Sequence, residues 1–336
     1  MRIFERLDEL YAIGDRIGYS PEEQRAHDLA ASWFREAGLE VEVDEGGNLI
    51  GRLPGGEREV WTGSHLDTVP SGGRFDGALG VVGGLEAVER LGLPGLGVVV
   101  FRDEERGCAG SRARVSSHSL PDAFVELHIE QGPRLEQAGV PLAAVTAIVG
   151  YSRQTVTITG RAGHAGTTPM ANRDDALCTA AERVLAIREA ALAIPETVAT
   201  VGTLTVEPGG VNVIPGSVSF TVDVRAPDRE HLDKLLEAIG LEPGLGVDPS
   251  VMDATVVAAV RGAIESLGVP VVELASGAGH DAGILAAAGV PSGMLFVRSL
   301  NGGVSHSPDE LSSEADVALA VDALERALGD LVAQSN

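Results

Sequence analysis

Four short segments carry residues able to hold metal ions and move protons. In Gly63-Ser-His-Leu-Asp67, His65 and Asp67 lie two apart at the end of a short apolar run, and Asp76 follows in the glycine-rich Gly72-Gly-Arg-Phe-Asp-Gly77. On an extended segment, side chains two apart share a face. A metal-bound histidine commonly gives its second N–H to a carboxylate, a part open to Asp67. Arg102-Asp-Glu-Glu-Arg106 offers adjacent acids, Glu104 and Glu105, that would raise each other's pKa unless cations lie between them. One acid as ligand and its neighbour as general base would account for the pair. His128 stands in Val125-Glu-Leu-His-Ile-Glu130, and His306 in Gly303-Val-Ser-His-Ser-Pro-Asp-Glu310. Singly, these segments fit equally well a capping loop, a solvated acidic turn, a packed strand histidine and a helix-entry loop. Jointly, they offer three histidines, His65, His128 and His306, and several carboxylates, Asp76 and Glu105 among them. A mixed histidine and carboxylate set suits zinc, with manganese, cobalt or nickel as further options. Five ligands exceed one tetrahedral site, so a carboxylate shared by two metals is expected, with one water activated for attack on a polarised carbonyl.

The elements that must position these residues follow from periodicity and punctuation. Ser20-Pro21-Glu22-Glu23 reads as a capping box with proline at the first helical position. The helix it opens is expected to stop near Gly38. Strands are expected at 39–43, 48–53, 60–63 and 97–102, with a buried helix at 77–91. Strand, helix, strand in that order implies parallel pairing with covering helices, and puts the ligand segments at C-terminal strand ends. A second pattern runs over 151–251: alternating strand 153–160, helix 174–191, strands 197–206 and 216–225, helix 228–239 and a strand at 244–248. That β-α-β-β-α-β order is the ferredoxin-like split motif. The first pattern then returns with helix 254–267, strand 270–274, helix 281–289, strand 293–297 and a last helix from Glu314 to about Ala333. The expected fold class is thus α/β: a mixed, mostly parallel sheet with helices on both faces, formed by 1–150 and 252–336 and interrupted by an α+β insertion.

Composition narrows the function. With 336 residues the chain suits two domains. Aromatics make up only 4% against 44% hydrophobic, so the cores must be mainly aliphatic. A net charge of −24, with Lys234 the only lysine, disfavours a nucleic-acid partner. The most apolar stretch is interrupted by Glu86, Glu89 and Arg90, which argues against a membrane span. Two cysteines, Cys108 and Cys178, make no disulfide framework and read as ordinary thiols of a reducing, cytoplasmic compartment. Neither a dinucleotide fingerprint nor a phosphate loop is present.

In order along the chain come GSHLDTVPSGGRFDG, the Glu104-Glu105 pair, ELHIEQGP, GRAGHAGTTPM, GGVNVIPG, VDVRAPD, SGAGHDA and GVSHSPDE. From about residue 5 to 330, the chain resembles the hydantoinase/carbamoylase amidases: N-carbamoyl-L-amino acid hydrolases, allantoate amidohydrolases and β-ureidopropionases. That group lies in the superfamily of metal-dependent aminoacylases and glutamate carboxypeptidases. The resemblance implies two divalent metals, one held by His65, Asp76 and His128 and the other by Asp76, Glu105 and His306, with Glu104 as general base. It implies a lid and homodimerisation role for the insertion, whose His164 would reach the partner's site and stabilise an oxyanion. It also assigns substrate binding to Gln131, Asn212 and Arg225. Arg225 would clamp a carboxylate, for which a guanidinium is the best bidentate partner. His280 is a further pocket candidate. Peptidase relatives usually carry an acid where this chain has His128, which points to cleavage of a carbamoyl amide. A dipeptidase or aminoacylase of the same superfamily, and an inactive small-molecule binder, are the alternatives. Two features depart from the pattern: Arg106-Gly-Cys-Ala-Gly-Ser-Arg112 replaces the usual Gly-Ser-Arg-Phe continuation, and segment 106–124 is short.

Overall fold

The computed structural model describes residues 2–117 and 119–334, which form two compact units, 1–148 with 251–336 and 149–250. The larger unit is built on a nine-stranded sheet. Its middle is parallel: Leu96–Phe101, Val60–His65, Ala123–Ile129 and Ser292–Val297 pair in that order. All residues of these four strands are buried, as strands covered on both faces must be. Successive residues alternate between two cores. Val98, Val100, Val125, Leu127, Leu295 and Val297 enter one. Val99, Phe101, Phe124, Met294 and Phe296 enter the other.

Helices Ile3–Tyr11, Pro21–Glu36, Ala78–Leu91, Ala254–Ser266 and Glu314–Ala333 supply the first core, and Arg134–Ala138 and Asp281–Ala287 the second. The sheet has an antiparallel flank: Leu49–Arg52 pairs antiparallel with both Glu40–Val43 and Leu96–Phe101. A short connection through Gly46-Gly47 can only return the chain as a hairpin. Two strands differ from expectation. Leu142–Ile148, inside the sheet, has no alternation to betray it, because both its faces are buried with small alanines. The strand expected at 270–274 lies at Glu273–Ser276, where it pairs in parallel with Leu142–Ile148.

The smaller unit is a four-stranded antiparallel sheet in the order Leu245–Val247, Gly150–Thr159, Ser217–Ala226, Val198–Glu207. Helices Ala176–Ala193 and Arg229–Ala238 cover one face, over Val218, Phe220, Val222 and Val224. Chain order and spatial order together are those of the ferredoxin-like motif. A two-stranded ribbon, Gly163–His164 with Val213–Ile214, was not anticipated. Among the described residues, no helix is long and apolar enough to cross a membrane.

Candidate dinuclear metal site

The ligand segments meet at the C-terminal ends of the parallel strands. His65 is the last residue of Val60–His65, and His128 the penultimate residue of Ala123–Ile129. Asp76 sits in the turn before helix Ala78–Leu91, and Glu104 and Glu105 follow strand Leu96–Phe101. Close approach here requires glycine: Gly77 has φ +61°, and a Cβ on it would meet the His65 ring at 2.5 Å.

Asp76 is divided between two groups of side chains. Its Oδ1 lies 3.2 Å from His128 Nε2 and 3.8 Å from His65 Nε2, while its Oδ2 lies 3.3 Å from His306 Nε2. Glu105 Oε2 is also 3.3 Å from His306 Nε2. Two ligands about 2.0–2.1 Å from one tetrahedral ion stand about 3.4 Å apart, so these separations suit shared coordination. In each trio, His65/Asp76/His128 and Asp76/Glu105/His306, the ligand atoms lie within 4.8 Å of one another.

Tautomers favour the same use. His128 Nδ1 is 2.9 Å from the Ile129 carbonyl and donates to it, which leaves the Nε2 lone pair free; Nε2 is buried and makes no hydrogen bond. His65 Nδ1 faces the Asp67 carbonyl at 3.1 Å and Asp67 Oδ1 at 3.3 Å, again freeing Nε2. An orphaned, buried imidazole nitrogen beside a carboxylate is what a cation-binding site needs. The donor set present therefore fits two divalent ions.

Electrostatics are correspondingly tense. Burial pushes the Glu104 carboxyl well above its ordinary pKa; His65 opposes this, and the nearby acids Asp281, Glu105 and Asp76 add to it. Burial also raises Asp76, but His128 and His306 outweigh it and hold Asp76 well below the carboxylate range. For His65, burial disfavours the charged ring, yet Glu104, Asp67 and Asp76 prevail and raise it. Cys108, read from sequence as an ordinary thiol, donates to Glu104 Oε1 at 3.7 Å, and burial pushes its pKa up. Cys178 is exposed, and both cysteines are free.

The remaining expected residues fall into two sets. Gln131, with φ +55°, donates from Nε2 to Asp76 Oδ2 at 2.9 Å and to Ser305 Oγ at 3.1 Å, so it stands at the metal cluster. His280 is buried against His128, their ring centroids 4.5 Å apart, and its Nε2 is 2.8 Å from Ser276 Oγ. A third trio, Glu126/His128/His280, also lies within ligand distance. Its carboxylate is already spent on Ser64 Oγ (2.7 Å) and the Ala282 N–H (2.9 Å), so it serves as scaffold. In the smaller unit, the unexpected ribbon sets His164 opposite Val213, and the Ala165 N–H donates to the Asn212 carbonyl at 3.0 Å. His164 and Asn212 are thereby neighbours. Arg225 Nε pairs with Asp223 at 2.9 Å.

Sequence reasoning missed Glu310 and Ser305. Glu310 is buried, and its Oε1 accepts the N–H groups of Phe75 (2.7 Å) and Asp76 (3.0 Å), while its Oε2 accepts from Ser305 Oγ at 2.9 Å. It thus ties the Asp76 turn to the His306 loop. Its presence four residues after His306 was the available signal.

Residues 61–330 match the profile of peptidase family M20/M25/M40. An N-carbamoyl-L-amino acid amidohydrolase of Geobacillus stearothermophilus is 38% identical, over 96% of each chain. The chain belongs to the hydantoinase/carbamoylase amidases of the M20 family. Allantoate amidohydrolase of Escherichia coli is 34% identical over 92% of this chain and 90% of its own. The crystal structure of a hydantoinase/carbamoylase family amidase from Burkholderia multivorans superposes with a TM-score of 0.88 at 31% identity, covering 100% of this chain and 98% of that one. The first alignment runs over 395 positions against 336 residues here, so gaps interrupt this chain within it.

Proposed function

We propose that the amidase hydrolyses a linear ureido amide, such as an N-carbamoyl-L-amino acid or allantoate, releasing ammonia and carbon dioxide. Its named relatives act on these two substrate classes. The observation that carries the mechanism is Asp76, one oxygen toward each histidine-bearing trio, with Glu104 Oε2 3.8 Å from His65 Nε2. Two divalent ions held by His65, Asp76 and His128 and by Asp76, Glu105 and His306 would supply Lewis acidity and a water of lowered pKa. Zinc suits the donors best, with manganese, cobalt or nickel as substitutes.

Glu104 takes the proton of the attacking water and passes it to the leaving nitrogen, and its carboxylate stands 3.8 Å from His65 Nε2, next to the first trio. Asp67 holds the His65 tautomer. His164 donates to the developing oxyanion, Arg225 clamps the substrate carboxylate, and Asn212, Gln131 and His280 shape the pocket. The carbamate left behind decomposes to carbon dioxide and ammonia.

The smaller unit would act as lid and homodimer surface. Supporting this, Val198–Glu207 is an edge strand of ten residues, and Leu177, Leu185 and Leu192 are exposed along the adjoining helix. Impaired His164→Ala and Arg225→Ala chains should regain activity when mixed, if His164 serves the partner's site.

An ammonia-release assay with added zinc, manganese or cobalt tests the reading. Its panel holds N-carbamoyl-L-amino acids, allantoate, N-carbamoyl-β-alanine and dipeptides. Cleavage of a dipeptide without ammonia from any ureido compound would sink the substrate assignment.

A further inference from the structure

Loop 102–105, which carries Glu104 and Glu105, is suspended by side chains from three other segments. Its four consecutive backbone N–H groups are all accepted by them. Arg102 donates to Asn48 Oδ1, Asp103 to Glu23 Oε1, Glu104 to Asp67 Oδ1 and Glu105 to Asp67 Oδ2, each at 3.1 Å. Asp67 is already accounted for by His65. Glu23 is not: it belongs to the first turn of helix Pro21–Glu36, is fully buried, and touches no ligand of the metal site. Its second oxygen accepts the Tyr19 N–H and Arg102 Nη1, the latter at 2.9 Å.

The residue it holds needs holding. Asp103 has φ +50°, a left-handed conformation that a non-glycine residue keeps only when its surroundings impose it. Residues 18–23 do so. A Cβ on Gly18 would meet Asp103 Oδ1 at 1.8 Å, so the two segments are in direct contact. Arg106 bridges them, Nε to Asp103 Oδ1 at 2.7 Å and Nη2 to the Gly18 carbonyl at 2.8 Å. The left-handed peptide at 103 sets the direction in which the next two side chains leave the loop.

We propose that Glu23 is a positioning residue for Glu104 and Glu105: by fixing the Asp103 peptide, it aims the general base and one ligand of the second metal. The proposal rests on the dinuclear reading above for those two roles. A residue that merely began a helix would affect stability alone, whereas this one should affect one metal, one loop and turnover.

The test uses the full chain with Glu23→Ala and Glu23→Gln. Three quantities are read: zinc equivalents retained after loading and desalting, amide hydrogen exchange at 103–105, and kcat and KM for ammonia release. In Glu23→Ala, retained metal should fall from two equivalents toward one. Exchange at 103–105 should quicken about tenfold while strand Val60–His65 keeps its protection. Turnover should fall about 100-fold with KM within about twofold, as expected for a small misplacement of catalytic groups. Glu23→Gln keeps an oxygen for the Asp103 N–H but turns an NH2 toward Arg102 and Tyr19, and should lose less in every readout. If Glu23→Ala does not fold, Glu23→Gln is judged on the same three quantities. Two metals, unchanged exchange and near-normal kcat in the variants, even with a lowered Tm, would reduce Glu23 to a helix cap. Should the wild type release no ammonia from any ureido compound, the substrate reading fails, while metal retention and exchange still decide the role of Glu23.

Discussion

The two units place their candidate residues in opposite ways. In the larger unit, His65, Asp67, Asp76 and His128 are buried and mutually hydrogen-bonded or opposed, so their geometry is set before any ligand arrives. In the smaller unit, His164 and Asn212 are exposed and Arg225 is partly so. Their side chains stand on a ribbon and a strand end, held by short-range contacts such as the Gly166 N–H donated to His164 Nδ1 at 3.0 Å. Rigid, desolvated groups suit metal binding and proton transfer, because fixed dipoles cost no reorganisation. Exposed groups suit a surface that meets a substrate or a second subunit. One unit buries most of its candidate residues, and the other presents them to solvent.

The sharpest way to break this contrast is Glu104→Gln. It should keep both metals by elemental analysis yet lose about 10³-fold in kcat; near-normal turnover would remove Glu104 from acid–base duty. Next in size is His164→Ala, expected to lower kcat about 100-fold with metal content and Tm unchanged. Metal loss in that variant would mean that the smaller unit helps to build the site.

A third test concerns the buried charge of the larger unit. His27 is buried with no hydrogen bond to either ring nitrogen, Glu23 Oε1 lying 3.9 Å from its Nε2, and burial, aided by the Arg102 guanidinium, pulls its pKa down to about 3. Between that value and the unfolded value near 6.5, the unfolded chain binds a proton that the folded chain refuses. The stability contributed by neutral His27 is therefore full above about pH 6.5 and is lost as pH falls. Urea unfolding at pH 7 and pH 5 should show wild type losing about 2 kcal/mol more than His27→Leu. Equal losses would show that His27 is solvated in the folded state.

The smallest effect belongs to the smaller unit. Asp175 caps helix Ala176–Ala193 by accepting from the Leu177 and Cys178 N–H groups at 3.0 and 3.3 Å. Asp175→Ala should cost about 1 kcal/mol in chemical denaturation and leave metal content untouched.

Much of this was legible in residue order. Ser20-Pro21 opened a helix because an oxygen at the N-cap and a missing N–H at the first position both suit orphaned donors, and Ser20 Oγ accepts the Glu23 N–H at 3.1 Å. The companion carboxylate of that capping box does something else: it reaches Tyr19, Arg102 and Asp103. Alternation located the strands of the smaller unit to within one to three residues at each end, since one of its faces is solvated. In the larger unit the same rule was silent for Leu142–Ile148, buried on both faces.

By itself, the sequence determined which residue types were available, that His65 would lie just past a strand, and which family the motifs resemble. The strand position follows from local periodicity and turn chemistry, and the family from the likeness of whole motifs. Only the tertiary structure decided that Glu310 locks the Asp76 turn to the His306 loop and that Glu23 and Asn48 suspend the loop of Glu104. Glu23 and Asp103 are 80 positions apart, and Asp76 and Glu310 are 234 apart. Contacts at that range depend on the order in which strands join the sheet, which neither a period of 2 nor one of 3.6 encodes.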